Sequence, residues 1–221
     1  MISHILNSGG NNSLMKHDVV QGNNIVDLTT GKIYIEKVTG DIEITANTTV
    51  DVEEPIEIRN LKIKNIGNRE QILEVTGSFE PVISTQIQDI SHSVFNDLFL
   101  RNEFENDNII IERRQRDKNA EKIFLATTLF TENETIGDIE YELDKEKFFG
   151  RGNIQLPEMI KNSKPFSKIV GLITEPIIAL KRTLKVMPGE EVDLNLIIAV
   201  SDTKEKAQKY VNEYKNQAKI K

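Results

Sequence analysis

Cysteine is absent from the 221 residues, which excludes disulfide staples, thiolate metal sites and a cysteine nucleophile. Histidine is scarce, limited to His4, His17 and His92, and no His/Asp/Glu cluster at ligand spacing surrounds His92, so no metal and no cofactor is expected. No run of ~18 consecutive apolar residues occurs, so membrane insertion is not expected. The opening MISHILNSGGNN lacks a basic start followed by a sustained apolar stretch and does not read as a secretory signal; the expected location is cytoplasmic. Positive charge is in deficit: 28 Lys and Arg stand against 35 Asp and Glu, a net charge of −7. Such a chain repels a phosphate backbone, and nucleic acid is not an expected partner. No Gly-rich phosphate loop follows a strand, and no repeat of fixed period is visible.

What remains is ordinary globular material, 38% apolar and 29% charged, at a length that suits one all-β domain. Residues 1–24, rich in Asn, Ser and Gly, read as a loose lead-in with at most one short edge strand. From Lys32 onward apolar residues alternate: Ile33 and Ile35, Ile42 and Ile44, Ile56 and Ile58. A period of two marks strands with one buried face. Leu61 and Ile63 then take the opposite parity, which means either a bulge or cover on both faces. Further strands are expected in QILEVTGSFEPVIS, NIIIERR, KIFLATTLF and GDIEYEL. Val192, Leu194, Leu196, Ile198 and Val200 share one parity, and the Met187-Pro188-Gly189-Glu190 turn before them suggests a closing hairpin with the strand carrying Leu180, Leu184 and Val186.

Only the end of the chain reads as a helix. Asp202 can cap it, Glu205 sits at the capping-box position, and Ala207, Tyr210, Val211, Tyr214 and Ala218 recur at helical spacing. Its stripe is expected either to pack on the domain's own sheet or to form a linker to another domain.

Four blocks carry a resemblance. SHSVFNDLFLRNEF, Ser91 to Phe104, resembles the pattern His-Pro-x-Phe-x-x-Leu-Phe-x-x-Thr-Glu of glycoside hydrolase family 94 at His92, Phe95, Leu98, Phe99 and Glu103, departing at Ser93 and Asn102. Arg113, Arg114 and Arg116 are similar to the family's Arg-Arg-x-Arg run. YELDKEKFFGRGN matches a third block at Glu142, Asp144, Phe148, Gly150, Arg151 and Gly152, with Leu143 and Phe149 differing. GLITEPIIALKRTLKVMPGE matches the fourth at Gly171, Pro176, Leu180, Arg182, Pro188 and Gly189. The blocks fall in family order over roughly residues 32 to 215, closest to the cyclic β-1,2-glucan synthase and β-1,2-oligoglucan phosphorylase branch.

The resemblance implies an antiparallel galactose-mutarotase-like supersandwich over residues 25–201, followed by a C-terminal α-helix over 202–221. In the family a linker helix joins that sandwich to an (α/α)6 barrel holding the catalytic Asp and the phosphate site. Such a barrel needs about a dozen helices of ~10 to 14 residues, and this chain offers one, so the barrel is expected to be absent and no catalytic residue is assigned. The implied function is a non-catalytic, structural and substrate-positioning part of a β-glucan-active phosphorylase or transglycosylase. The implied partners are the barrel, a β-glucan or oligosaccharide, and a second copy in a homodimer. The alternatives are a stand-alone carbohydrate-binding protein and a mutarotase-like epimerase.

Substrate or domain contacts are expected among His92, Arg113, Arg114, Arg116 and Arg151. For His92 the plainer reading is a ring bonded to backbone beside Phe95 and Phe99. The arginine cluster can grip hydroxyls or an anion with its fixed forks, or pair with carboxylates across the sheet. Arg151, between two glycines, can sit in a tight turn or in a loop that approaches another surface. Tryptophan, a usual platform for sugar rings, is absent, and Tyr210 and Tyr214 are assigned to the helix stripe.

Overall fold

The computed structural model describes residues 2–7, 10–13, 26–27, 33–114, 122–152 and 156–216. In chain order the elements are β1 (Ile2–Asn7), β2 (Gly10–Ser13), β3 (Val26–Asp27), β4 (Ile33–Thr39), β5 (Ile42–Val50), β6 (Ile56–Asn65), β7 (Gln71–Phe79), α1 (Gln86–Asp97), β8 (Leu100–Glu105) and β9 (Asn108–Arg113). They continue with β10 (Phe124–Phe130), β11 (Glu140–Asp144), α2 (Lys145–Phe149), α3 (Glu158–Lys161), β12 (Gly171–Leu172), β13 (Pro176–Val186), β14 (Glu191–Ser201) and α4 (Lys204–Glu213). Among these residues the strands form a five-stranded sheet, β11-β13-β7-β1-β2, and a nine-stranded sheet, β12-β8-β9-β10-β14-β6-β5-β4-β3. Every pairing is antiparallel, as the alternating patterns require.

The two sheets face each other across the main core. Ile42, Ile44, Leu61, Ile63, Leu73, Val75, Ile109, Ile111, Leu180 and Leu184 belong to it, joined from β14 by Val192, Leu194, Leu196 and Ile198. A second cluster lies on the outer face of the nine-stranded sheet. There Ile56, Ile58, Ile110, Phe124, Ala126, Ile197 and Ala199 pack against Ala207, Tyr210 and Val211 of α4. Ala126, Ala199 and Ala207 are fully buried, and their small side chains let the helix approach the sheet closely. This second layer explains the parity change in β6. The strand pairs with β14 without a shift from Ile56↔Ala199 to Lys64↔Glu191, so no bulge intervenes. Ile56 and Ile58 point out under α4, while Leu61 and Ile63 point in. The stripe of α4 is thus buried on the domain's own sheet.

Four expectations need correction. The expected hairpin is a crossover: β13 pairs with β7 and β11, β14 with β6 and β10, and Met187–Glu190 carries the chain from one sheet to the other. Alternation alone reports a buried face, not which neighbour supplies it. The lead-in is not loose at residues 2–7 and 10–13, because β1 pairs with β7 from Ile2↔Ser78 to Asn7↔Leu73 and β2 pairs with β1. The helix cap is Thr203, whose hydroxyl accepts the Lys206 amide at 3.3 Å, while Asp202 accepts from the Ser201 hydroxyl at 2.9 Å. Ala218 lies outside the described residues. Finally, α4 is not the sole helix: α1 runs through the first family-like block, and α2 and α3 cover the outer face of the five-stranded sheet.

Candidate functional site

The described candidate residues fall in two places. The first is α1 and the end of β9. Ile87 and Ile90 lie three residues apart on α1, and Leu98 follows it at a compatible helical offset. Their exposures are 78%, 79% and 48%, with Val82 ahead of the helix at 61%. Isolated exposed apolar residues are normal, whereas a stripe of them on one helix face marks a contact surface. Arg113 Nη1 donates to the carbonyl of Ile83, ahead of α1, and Nη2 donates to Oδ1 of the buried Asn96 in its last turn at 3.3 Å. Phe95 meets Phe99 edge-on, with centroids 5.3 Å apart. The Arg114 amide donates to the Phe99 carbonyl at 2.8 Å, and Arg114 is exposed.

Arg113 therefore ties the segment ahead of α1 and the helix's last turn to β9 through a carbonyl and a side-chain amide. His92 lies within α1, and Arg116 lies outside the described residues. Asn96 escaped the sequence reading, although the spacing of Ile87, Ile90, Val94 and Leu98 is itself a helical signal.

The second place is the unit β11–α2–α3, which contains the third family-like block. Glu142 is fully buried; Oε1 accepts the amides of Leu143 and Asp144 at 3.1 Å each, and Oε2 accepts the Ser167 amide at 3.0 Å. Its neighbour Glu140 accepts the Phe166 amide at 3.1 Å. Together they lay residues 166–168 along β11. Asp144 caps α2 by accepting the Lys147 amide at 3.2 Å. Phe148 is fully buried with Met159, Ile160, Phe166 and Ile177. Lys181, only 5% exposed, is 3.2 Å from Glu140 Oε1 and 3.6 Å from Glu74 Oε1, and it lies over the Phe166 ring.

Both glycines beside Arg151 are required by geometry. Gly150 has φ 51°, and a Cβ at Gly152 would stand 2.5 Å from the Leu156 carbonyl oxygen. The Arg151 amide donates to Glu158 Oε2 at 2.9 Å while the residue itself is exposed. Glu158 also accepts from Lys164 at 2.8 Å. The Lys164 bond first, then the Arg151 amide, holds the Glu158 carboxyl below its ordinary pKa. Arg151 thus sits on a braced loop with its side chain turned outward, on a different layer from Arg113.

Among the described residues no group of three or more His, Asp or Glu side chains is placed to hold a metal ion. No helix there is long and apolar enough to cross a membrane.

Comparison with known proteins accounts for the blocks. The chain is similar to the cyclic β-(1,2)-glucan synthase NdvB of Rhizobium meliloti (strain 1021), with 25% identity over 188 residues, covering 84% of this chain and 7% of that protein. The chain therefore spans a small fraction of the curated relative it matches. Its fold is shared by a putative kojibiose phosphorylase from the human microbiome, with a TM-score of 0.52 at 10% identity, over 96% of this chain and 25% of that one. The family model "Glycosyl hydrolase 94, supersandwich domain" matches residues 13–217, nearly the whole sequence. With its two antiparallel sheets and terminal helix, this chain belongs to the supersandwich domains of glycosyl hydrolase family 94.

Proposed function

We propose that this domain is a non-catalytic, structural and substrate-positioning module that works with an (α/α)6 catalytic barrel on a β-glucan, in phosphorolysis or transglycosylation, in the cytoplasm. The observation that carries the reading is the apolar stripe of Ile87, Ile90 and Leu98. A supersandwich that works with a second domain needs an uncovered contact surface of this kind, and the last turn of α1 is tied to β9 by the bond from Arg113 to Asn96. Docking there buries apolar side chains that are otherwise wet. The curated relative, named as a cyclic β-(1,2)-glucan synthase and many times longer than this chain, supports both the partner and the substrate class.

Calorimetry of the chain against the separately expressed catalytic region of a relative tests this. Tight association is expected, weakened roughly tenfold or more by Ile87→Ser and by Ile90→Ser, as central apolar contacts are. Absence of association, or turnover of an α-glucose anomer by the chain alone, would overturn it.

A further inference from the structure

A groove of about 350 Å³ opens between α2 and the segment that leads through β12 to β13. Asp144, Glu146 and Lys147 stand on one side; Ile169, Leu172, Ile173, Thr174 and Glu175 line the rest. Its volume falls at the small end of the ~300–1,000 Å³ typical of small-molecule sites.

The lining is chemically specific. Ile169 and Leu172 are 51% and 63% exposed, an aliphatic floor left in water. The carboxylates of Glu146 and Glu175 and the hydroxyl of Thr174 have no hydrogen-bond or ion-pair partner among the described residues. Lys147, by contrast, is held 3.3 Å from Asp144. A purely apolar occupant would strip water from two unpaired carboxylates, which is costly. An anion would meet those carboxylates in a chain of net charge −7, and a compact cation would leave the aliphatic floor of Ile169 and Leu172 in water. A neutral molecule with an apolar face and a rim of hydroxyl donors fits all three constraints. A pyranose is such a molecule: its C–H face can lie on Leu172 and Ile169 while vicinal hydroxyls donate to Glu146 and Glu175.

We propose that this groove is a carbohydrate subsite that takes a short glucosyl segment of a β-glucan. The sugar's identity rests on the function proposed above. The floor is aliphatic, so binding is weak, in the millimolar range of about −4 kcal/mol.

The test is a titration of the isotopically labelled chain with sophorose, the β-1,2-linked glucose disaccharide, followed by amide NMR shifts, with spermidine as a cationic control. Saturable shifts at residues 146–147 and 172–175 are expected, unchanged by added salt, with Kd raised at least fivefold by Glu175→Gln and by Leu172→Ser. No saturable shift, shifts confined to other surfaces, or a groove response to spermidine alone would each overturn the subsite. No catalytic domain is present in this titration, so its failure is distinct from a failure of the barrel association measured by calorimetry.

Discussion

The Asn65 side-chain amide donates to the Val186 carbonyl at 3.0 Å, and the same nitrogen donates to the Arg69 carbonyl at 2.7 Å. Val186 ends β13 and Asn65 ends β6, so this contact ties together two of the places where the chain crosses between sheets. Asn65 Oδ1 accepts the Gly67 amide at 3.0 Å. Its backbone adds two further bonds, one donated to the Glu190 carbonyl at 3.0 Å and one accepted from the Gly189 amide at 2.8 Å. The residue is fully buried.

Replacing this latch should be expensive. Asn65→Ala leaves backbone groups of three residues without their partner, and a loss of about 2–4 kcal/mol is expected from urea unfolding. Asn65→Asp keeps the shape but turns an oxygen toward two carbonyls. It should therefore be at least as damaging at neutral pH and recover in part on acidification, when its carboxyl regains a donor proton.

The loop around Arg151 separates backbone from side-chain roles. Gly152→Ala drives a Cβ into the Leu156 carbonyl oxygen and the Glu158 amide, so unfolding should occur at a lower denaturant concentration by about 1–3 kcal/mol. Arg151→Ala leaves the amide bond to Glu158 intact, and a change within about 0.5 kcal/mol is expected. Stability that fell equally in both variants would assign the arginine a structural role instead.

Tyr214 donates its hydroxyl to Asp51 Oδ2 at 2.6 Å. That bond, then burial, pushes the phenol up from 10.0 to about 12. The same bond, with the Glu54 and Glu53 amides behind it, holds Asp51 below 3.8. The phenol's folded pKa is raised, so its contribution to stability is complete below pH 10 and lost as pH climbs through 12. The carboxyl's folded pKa is lowered, so its contribution is present above 3.8 and lost as pH falls through the depressed value. Ultraviolet titration of the phenolates should show a component near 12 that disappears in Tyr214→Phe; its persistence would assign it to another tyrosine.

Much of this architecture could be read from residue order. The alternation of Ile42 and Ile44 and of Val192 and Leu194 reports the inter-sheet core directly, because Glu43 and Asp193 between them stay wetter. Where a second layer covers the sheet, alternation fails: Ile109, Ile110 and Ile111 are all buried, the outer one beneath α4. Pairing partners were less legible, since the Pro188-Gly189 turn serves an inter-sheet crossing as well as a hairpin. The helix α1 was obscured by Ser, Asn and Gln around a stripe that the domain itself leaves uncovered. Of the candidate residues, the motif around Arg151 was recognisable by type, but the reasons for its glycines lie in Leu156 and Glu158, which only folding brings near.

The position of β14 has a consequence for how this domain is made. Among the described residues it is the last strand in sequence, yet it lies between β6 and β10 near the middle of the larger sheet. While the polypeptide emerges from the ribosome, β6 and β10 each wait without their shared neighbour until residues 191–201 are out. Closure is therefore deferred until β14 has been made. In that interval the apolar flanks of both strands are open to chaperones and to misassociation, whatever sequence precedes them.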